Sequence, residues 1–196
     1  MNKVFFVIGG IILILASLNL WHTTKTSYKE DIRKCKDINE KRISSLLIST
    51  TILKRQITTV SGKNVITNKK TEGILKDTTI VILLSDFKCG KCQEKELQRL
   101  NKLQKRKDLK KIKIIGITTK AKKTQVAIQR KILKLDFPIY WVDDETFFNK
   151  LVFADEFPQI ILVANGIVIS AFKPITKDDE FSEKYYSHLI SMLATN

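Results

Sequence analysis

Two cysteines separated by two residues, Cys89 and Cys92, are the side chains of this chain that best suit covalent chemistry. They belong to the motif Cys-Gly-Lys-Cys, in which Gly90 and Lys91 stand between them, and Lys88 precedes it. A cysteine at the first turn of a helix is stabilised as a thiolate by unpaired backbone N–H groups and by the helix dipole. The two lysines add positive charge beside it. We therefore predict that Cys89 attacks a disulfide and that Cys92 resolves the resulting mixed disulfide.

Two other interpretations of the pair stay open. A Cys-x-x-Cys motif can be half of a structural zinc site, but such a site needs two further ligands. The only histidines are His22 and His188, and neither has ligand spacing, so we predict no metal and no other cofactor. The pair could also be an inert structural disulfide or an idle thiol pair, although three cysteines are too few for a disulfide-stapled scaffold.

The residues around the motif predict alternating strands and helices. Thr78–Leu84 is a continuous apolar run, which indicates a strand buried on both faces of a sheet. The other predicted elements are a hairpin turning at Ser61–Asn64, helices over Gln93–Lys107, Lys120–Leu135, Glu145–Phe153 and Phe181–Leu193, and strands over Lys113–Thr118, Phe137–Val142, Ile160–Ala164 and Ile167–Phe172. Asn165-Gly166 is a hairpin signal between the last two strands. Such alternation predicts an α/β fold with a central mixed sheet flanked by helices.

An uncharged apolar segment, Val4–Leu20, precedes these elements. As a helix it would be roughly 25 Å long, close to the thickness of a bilayer core. Trp21 follows where an interfacial aromatic residue is expected. Ala16-Ser17-Leu18 has only half of a signal-peptidase pattern, so we favour an uncleaved anchor over a cleaved signal peptide. We predict a transmembrane signal anchor over residues 1–22, a juxtamembrane helical segment over 23–56 and a compact domain over 57–196.

The net charge of +15 comes from 35 basic and 20 acidic residues. Lys25, Lys29, Arg33 and Lys34 follow the apolar segment, and the positive-inside rule would keep them in the cytoplasm. The thiol chemistry favours the extracytoplasmic face of a bacterial inner membrane, which is the location that we predict. The basic run Lys102–Lys113 could bind anionic lipid or nucleic acid, but we expect a solvated surface and no nucleic-acid partner.

A partly apolar helical stripe runs through the juxtamembrane segment. It consists of Tyr28, Ile32, Cys35, Ile38, Arg42, Leu46, Ser49 and Leu53, at spacings of three and four. We expect Cys35 to be a small buried residue of this stripe. The alternative is a disulfide between two copies of the chain, which would make a homodimer through Cys35.

From about Ile57 to the C-terminus, the chain resembles the membrane-tethered thiol–disulfide oxidoreductases of the TlpA/ResA and redoxin group, within the thioredoxin-like superfamily. The resemblance is carried by Ser61–Val65, by the strand and motif over Thr78–Cys92, and by Glu156–Leu162. It implies a cis-proline at Pro158 that packs beside the disulfide. It also implies that the backbone of Phe157 and Pro158 binds extended substrate, with exported proteins as substrates and a membrane thiol protein as upstream electron donor.

This sequence departs from the family pattern at the site. The family commonly has Trp where Lys88 stands, Gly-Pro rather than Gly-Lys inside the motif, and a smaller residue than Phe157 before the proline. Many relatives also have a buried acid that assists proton transfer. Asp86 and Glu96 are near the motif, but we expect both to be exposed to solvent.

Three functions compete on this evidence. The first is an enzyme that exchanges disulfides with exported proteins. The second is a non-enzymatic thioredoxin-like sensor or adaptor, which would oxidise its cysteine pair without turnover. The third is a peroxiredoxin-like peroxidase, which needs a threonine before its reactive cysteine, and Asp86-Phe87-Lys88 contains none.

Overall fold

The computed structural model describes the chain except residues 1, 58–59, 86–89, 107–108, 110–111 and 195–196, and it describes no side chains for residues 2–17 or 194. The chain divides into two compact units, Met1–Lys41 and Arg42–Asn196. The second unit therefore includes part of the segment assigned above to the juxtamembrane region.

The first helix, α1, spans Asn2–Thr50, so the segment predicted to be helical from residue 23 on is helical through residue 50, while its juxtamembrane placement stays a prediction. Within the first unit the side chains of Tyr28, Ile32 and Ile38 are exposed. Cys35 is a free and exposed cysteine, so the expectation that it is buried is wrong. Among the described residues of this unit, α1 is the only helix or strand, so the stripe has no second element of the unit to pack against.

No helix within the described part of the chain is long and apolar enough to cross a membrane. The side chains of residues 4–17, which make up most of the predicted span Val4–Leu20, lie outside the described residues. The anchor stays a prediction.

The second unit is built on a seven-stranded mixed sheet with the order β2-β1-β5-β4-β3-β6-β7. The strands are β1 Gly62–Asn64, β2 Lys70–Thr71, β3 Thr79–Leu84, β4 Lys113–Thr119, β5 Ile139–Val142, β6 Gln159–Ala164 and β7 Ile167–Phe172. The helices are α2 Gly90–Gln104, α3 Lys123–Ile132, which follows a 3-10 turn, and α4 Asp179–Ala194, and a π-helix spans Thr146–Leu151. The strands β3, β4 and β5 pair in parallel, whereas β1, β2, β6 and β7 pair antiparallel with their neighbours. The predicted α/β fold is confirmed.

The predicted first hairpin is misplaced. The turn was expected at Ser61–Asn64, but Gly62–Asn64 forms β1 and the chain turns after it. The glycine is needed in this strand for close packing and not for a turn, because a Cβ at Gly62 would lie 2.8 Å from Cβ of Tyr140 on the neighbouring strand. The side-chain oxygen of Asn64 accepts hydrogen bonds from the backbone N–H groups two and three residues later, at 2.9 and 3.1 Å, and so holds the turn.

The interior strand β3 precedes the Cys-Gly-Lys-Cys motif in the chain. All of its residues are buried, because it has a neighbour on each side and an apolar layer on each face. Val81 and Leu83 belong to one layer. Ile80 and Ile82 belong to the other, which includes Leu97 of α2. The predicted two-sided burial is confirmed.

The C-terminal end of α1, from Arg42 on, belongs to the second unit and packs there through a face that only partly coincides with the predicted stripe. Of the stripe, Ser49 is buried but Leu46 and Leu53 are exposed, whereas Ser45 and Ile52, outside the stripe, are buried. Polar partners select this face: Ser45 Oγ donates a 2.6 Å hydrogen bond to the backbone carbonyl of residue 173.

Arg42 lies on the same face and forms a bidentate ion pair with Asp178, with Nε 2.6 Å from Oδ2 and Nη2 2.8 Å from Oδ1. Its hydrogen bonds hold the pKa of Asp178 below the ordinary value. Because the folded pKa is lowered, the stabilisation is complete above the ordinary carboxyl pKa of about 4 and is lost as the pH falls through the lowered value.

The Arg42→Ala variant is therefore expected to have a lower urea midpoint than the native chain at pH 7, because the buried Asp178 carboxylate loses its partner. The difference should narrow below pH ~4. Unfolding followed by circular dichroism at both pH values checks this. The matched control is Lys105→Ala, since the ion pair of Lys105 with Asp136 is exposed and should contribute little. Equal midpoints for the two variants at pH 7 would contradict the prediction.

Candidate functional site

Cys92 lies in the first turn of α2, the helix that follows β3. It is half-buried and disulfide-bonded. Lys88 and Cys89 lie outside the described residues, as does Asp86. Gly90 and Lys91 are exposed. No group of three or more His, Cys, Asp or Glu side chains that could hold a metal ion is present in the described ranges.

Pro158 lies at the sheet edge where β3 ends. The strand β6 runs antiparallel to β3 and begins at Gln159, which pairs with Leu83. The register therefore places Pro158, one residue before β6, level with the last residue of β3. Pro158 is buried, and the Phe157–Pro158 peptide bond is cis, as the resemblance implies.

The side chain of Phe157 is part of the core rather than a free surface. Its ring stacks on Phe147 of the π-helix, with the ring centroids 5.8 Å apart. The Phe157 side chain is thus held against the core.

A second loop reaches Cys92 from the same end of the sheet, because β7 ends at Phe172, which pairs with Ile160 at the start of β6. The segment between β7 and α4 carries Thr176, whose Oγ1 lies 3.5 Å from Sγ of Cys92. Lys173 of this loop forms an ion pair with Glu156, at 2.8 Å, in the segment before Pro158. The start of α2 and the loop before α4 therefore meet at Cys92, and the ion pair joins this loop to the segment before β6.

Glu96 is a buried carboxylate on α2, with 2% of its surface exposed, so the expectation that it is solvent-exposed is wrong. Tyr186 of α4 donates a 2.8 Å hydrogen bond to Glu96 Oε2, and Arg99 donates one to Oε1. Burial, together with the charge of Glu96, raises the pKa of Tyr186 well above its ordinary value, so its hydroxyl stays protonated and donates.

The sequence contained a signal for this burial. Glu96 stands four residues before Leu100 and seven before Leu103, so it shares their face of α2. Its burial was missed because charged residues in Lys-rich helices are generally solvated. Here Arg99 and Tyr186 satisfy both carboxylate oxygens, which makes burial possible.

The surface of α2 beyond Cys92 is basic, and one carboxylate of α4 partly offsets it. Asp179 accepts hydrogen bonds from Lys95 at 2.8 Å and from Arg99 at 2.7 Å. These two bonds hold the pKa of Asp179 below its ordinary value. Lys91 adds a further exposed cation next to Cys92. The positive charge and the N-terminus of α2 both favour a thiolate at the motif.

No protein-family model matches the sequence, and none of the curated proteins matches it. Solved structures are similar to it in fold. A protein assigned as thiol:disulfide interchange protein DsbE from Chlorobium tepidum is 12% identical, with a TM-score of 0.57 over 72% of this chain and 97% of that one. The thioredoxin domain of a thiol-disulfide oxidoreductase from Bacteroides vulgatus is 16% identical, with a TM-score of 0.52 over 68% and 96%. A secreted disulfide oxidoreductase from Mycobacterium tuberculosis is 13% identical, with a TM-score of 0.50 over 65% and 95%.

These similarities show that the fold is thioredoxin-like. The match covers nearly the whole length of each of the three solved chains. At such low identity the likeness extends to the fold and not to the chemistry. The function must therefore be argued from the site.

Proposed function

We propose that this chain is a thiol–disulfide oxidoreductase whose redox centre is the pair Cys89 and Cys92. The observation that carries the proposal is the disulfide at Cys92, in the first turn of the helix that follows an interior strand, with Pro158 at the same sheet edge. The chain has three cysteines and Cys35 is free, so Cys89 is the partner that we propose for Cys92. Proteins with this fold that are described as thiol–disulfide oxidoreductases support the assignment.

In the proposed reaction, the Cys89 thiolate attacks one sulfur of a substrate disulfide. The Cys89–substrate bond forms, and the other substrate sulfur leaves with the electron pair and takes a proton from water. The Cys92 thiolate then attacks Cys89, which closes the protein disulfide and releases the second substrate sulfur as a thiolate. The substrate gains two electrons and the protein loses two, so a dithiol donor must reduce the pair again.

Two nearby features fit this reaction. The backbone of Phe157 and Pro158 would pair with an extended substrate segment, as in strand addition. Glu96 would be the buried acid that the family resemblance implies. It lies four residues after Cys92 on the same helix, a spacing that places Cβ atoms about 5–6 Å apart.

The proposed setting is the extracytoplasmic face of a bacterial inner membrane. The apolar segment Val4–Leu20 would anchor the chain there, and an upstream membrane thiol protein would supply electrons. Exported proteins would be the substrates. The exposed Cys35 leaves a disulfide-linked homodimer as a further proposal.

The purified chain is expected to reduce insulin disulfides with dithiothreitol as the terminal reductant, and Cys89→Ala is expected to abolish this activity, because the variant has no nucleophile to form the mixed disulfide. Insulin precipitation, followed by turbidity, measures the rate. The control is Cys35→Ser, which should match the native chain. Full activity of Cys89→Ala would refute the proposal, and a pair that oxidises without turnover would favour the sensor or adaptor instead.

A further inference from the structure

The loop between β7 and α4 places a hydroxyl group within hydrogen-bonding distance of the Cys92 sulfur. Thr176 Oγ1 lies 3.5 Å from Cys92 Sγ, which is a hydrogen-bond distance for the large sulfur atom. In the disulfide state the sulfur carries no proton, so the threonine hydroxyl is the donor and the sulfur is a weak acceptor. Thr176 is itself exposed, so it makes this contact from the solvent side.

The loop is fastened on both sides of Thr176. Before it, Ser45 Oγ donates to the carbonyl of Lys173 at 2.6 Å. After it, Asp178 is held by Arg42 at 2.6 and 2.8 Å. Within the loop, Asp178 N donates to the Ile175 carbonyl at 3.1 Å and closes a tight turn around the threonine.

The same carboxylate connects the loop to the following helix. Asp178 Oδ1 accepts a 3.2 Å hydrogen bond from the backbone N–H of Phe181 in the first turn of α4. The next residue, Asp179, bridges to Lys95 and Arg99 of α2. The loop carrying Thr176 is therefore tied to the helix that carries Cys92, and the hydroxyl is positioned rather than free to swing.

We propose that Thr176 is a positioning residue for the resolving step, in which its hydroxyl donates a hydrogen bond to the Cys92 thiolate and directs that sulfur at the mixed disulfide. This inference rests on the proposed function. In that step the Cys92 thiolate attacks Cys89, the Cys89–Cys92 bond forms, and the bond to the substrate sulfur breaks. The departing sulfur takes the electron pair and then a proton from water.

The hydrogen bond from Thr176 stabilises the Cys92 thiolate more than it stabilises the Cys92 sulfur of the disulfide. A disulfide sulfur is a weak acceptor, whereas a thiolate accepts a charge-assisted hydrogen bond that is roughly twice as strong. The same hydroxyl therefore stabilises Cys92 more once the pair is reduced and ionised. At pH values where Cys92 is mostly protonated, this stabilisation increases the fraction of nucleophilic thiolate, and the gain outweighs the accompanying loss of intrinsic nucleophilicity.

The test uses the reduced full chain and glutathione disulfide, whose small size removes any need for substrate docking. Quenched samples analysed by intact-protein mass spectrometry follow the glutathione adduct as it forms and then resolves, at several pH values. The variants are Thr176→Val, which keeps the shape and removes the hydroxyl, and Thr176→Ser, which keeps the hydroxyl. Thr124→Val is the matched control, since this exposed threonine lies on α3.

At pH values below the plateau, we expect Thr176→Val to slow resolution by about fivefold, as the loss of one modest hydrogen bond would, without changing the rate of adduct formation. Its resolution rate should also reach its plateau at higher pH than in the native chain. Thr176→Ser and Thr124→Val should both behave like the native chain.

Native rates and an unshifted pH profile in Thr176→Val would overturn the inference, and so would equal slowing in Thr176→Val and Thr176→Ser, which would indicate a steric role. The proposed function fails separately, if the native chain does not reduce insulin. Because glutathione reports on Thr176 in either case, the two failures are distinguishable.

Discussion

The Cys92→Ser variant is expected to lose at least about a hundredfold in insulin turnover while it accumulates covalent adducts with its substrate. In the native chain, resolution is intramolecular, and well-oriented intramolecular groups react as if present at very high effective concentration. Without Cys92, only external dithiothreitol at millimolar concentration can attack the mixed disulfide. The first step needs only Cys89, so it should continue and the adduct should persist.

Intact-protein mass spectrometry under non-reducing conditions measures the adduct, and insulin turbidity measures turnover. The double variant Cys89→Ala/Cys92→Ser should form no adduct, because the proposed nucleophile is gone. Cys35→Ser should retain native turnover, since the exposed Cys35 takes no part in the proposed reaction. Native turnover in Cys92→Ser would show that Cys92 is not the resolving cysteine.

The order of strands and helices could be predicted because the patterns are local. The apolar run at β3 requires burial on both faces, and the Asn165-Gly166 pair requires a hairpin. Both residues of that pair have positive φ, 50° and 73°, which is the backbone of the predicted turn. The first hairpin was misplaced for a non-local reason, because the close approach of Tyr140 to Gly62 cannot be seen from the residues around Gly62.

The polar part of the site depends largely on tertiary partners, so the sequence signals only the helix face that Glu96 shares with Leu100 and Leu103, and not its burial. Glu96 is buried because Tyr186 and Arg99 meet its two oxygens, and Tyr186 is 90 residues away in sequence. Thr176 contacts Cys92 across 84 residues. Sequence patterns identify which residues can do chemistry. The distant hydrogen-bond partners that satisfy the polar groups of α2 come from its packing against α4 and the loop before α4.

Gln159 is a fully buried side chain that holds the segment before Pro158. Its Oε1 accepts a 3.0 Å hydrogen bond from the backbone N–H of Phe153. Its Nε2 donates to the carbonyls of Ala154 and Glu156. One amide thus satisfies three backbone groups of a segment that no strand or helix stabilises, and this segment leads directly into the proposed substrate-binding residues.

The Gln159→Leu variant is expected to lower the free energy of unfolding by about 3 kcal/mol, because it leaves three backbone groups without their partner in a largely buried place. Urea unfolding measures the change. The matched control is Gln125→Leu on the exposed side of α3, which should change stability by less than about 0.5 kcal/mol.

The same variant separates positioning from chemistry. In the absence of urea, at a temperature where Gln159→Leu remains folded, insulin turnover should fall, because the backbone at Phe157 and Pro158 loses its support. The reaction with glutathione disulfide needs no pairing with that backbone, so its rate should stay near native. A parallel loss of both activities would mean that Gln159 acts on the cysteines themselves. Equal stability of Gln159→Leu and Gln125→Leu in urea would mean that other contacts hold the segment, such as the ion pair of Glu156 with Lys173.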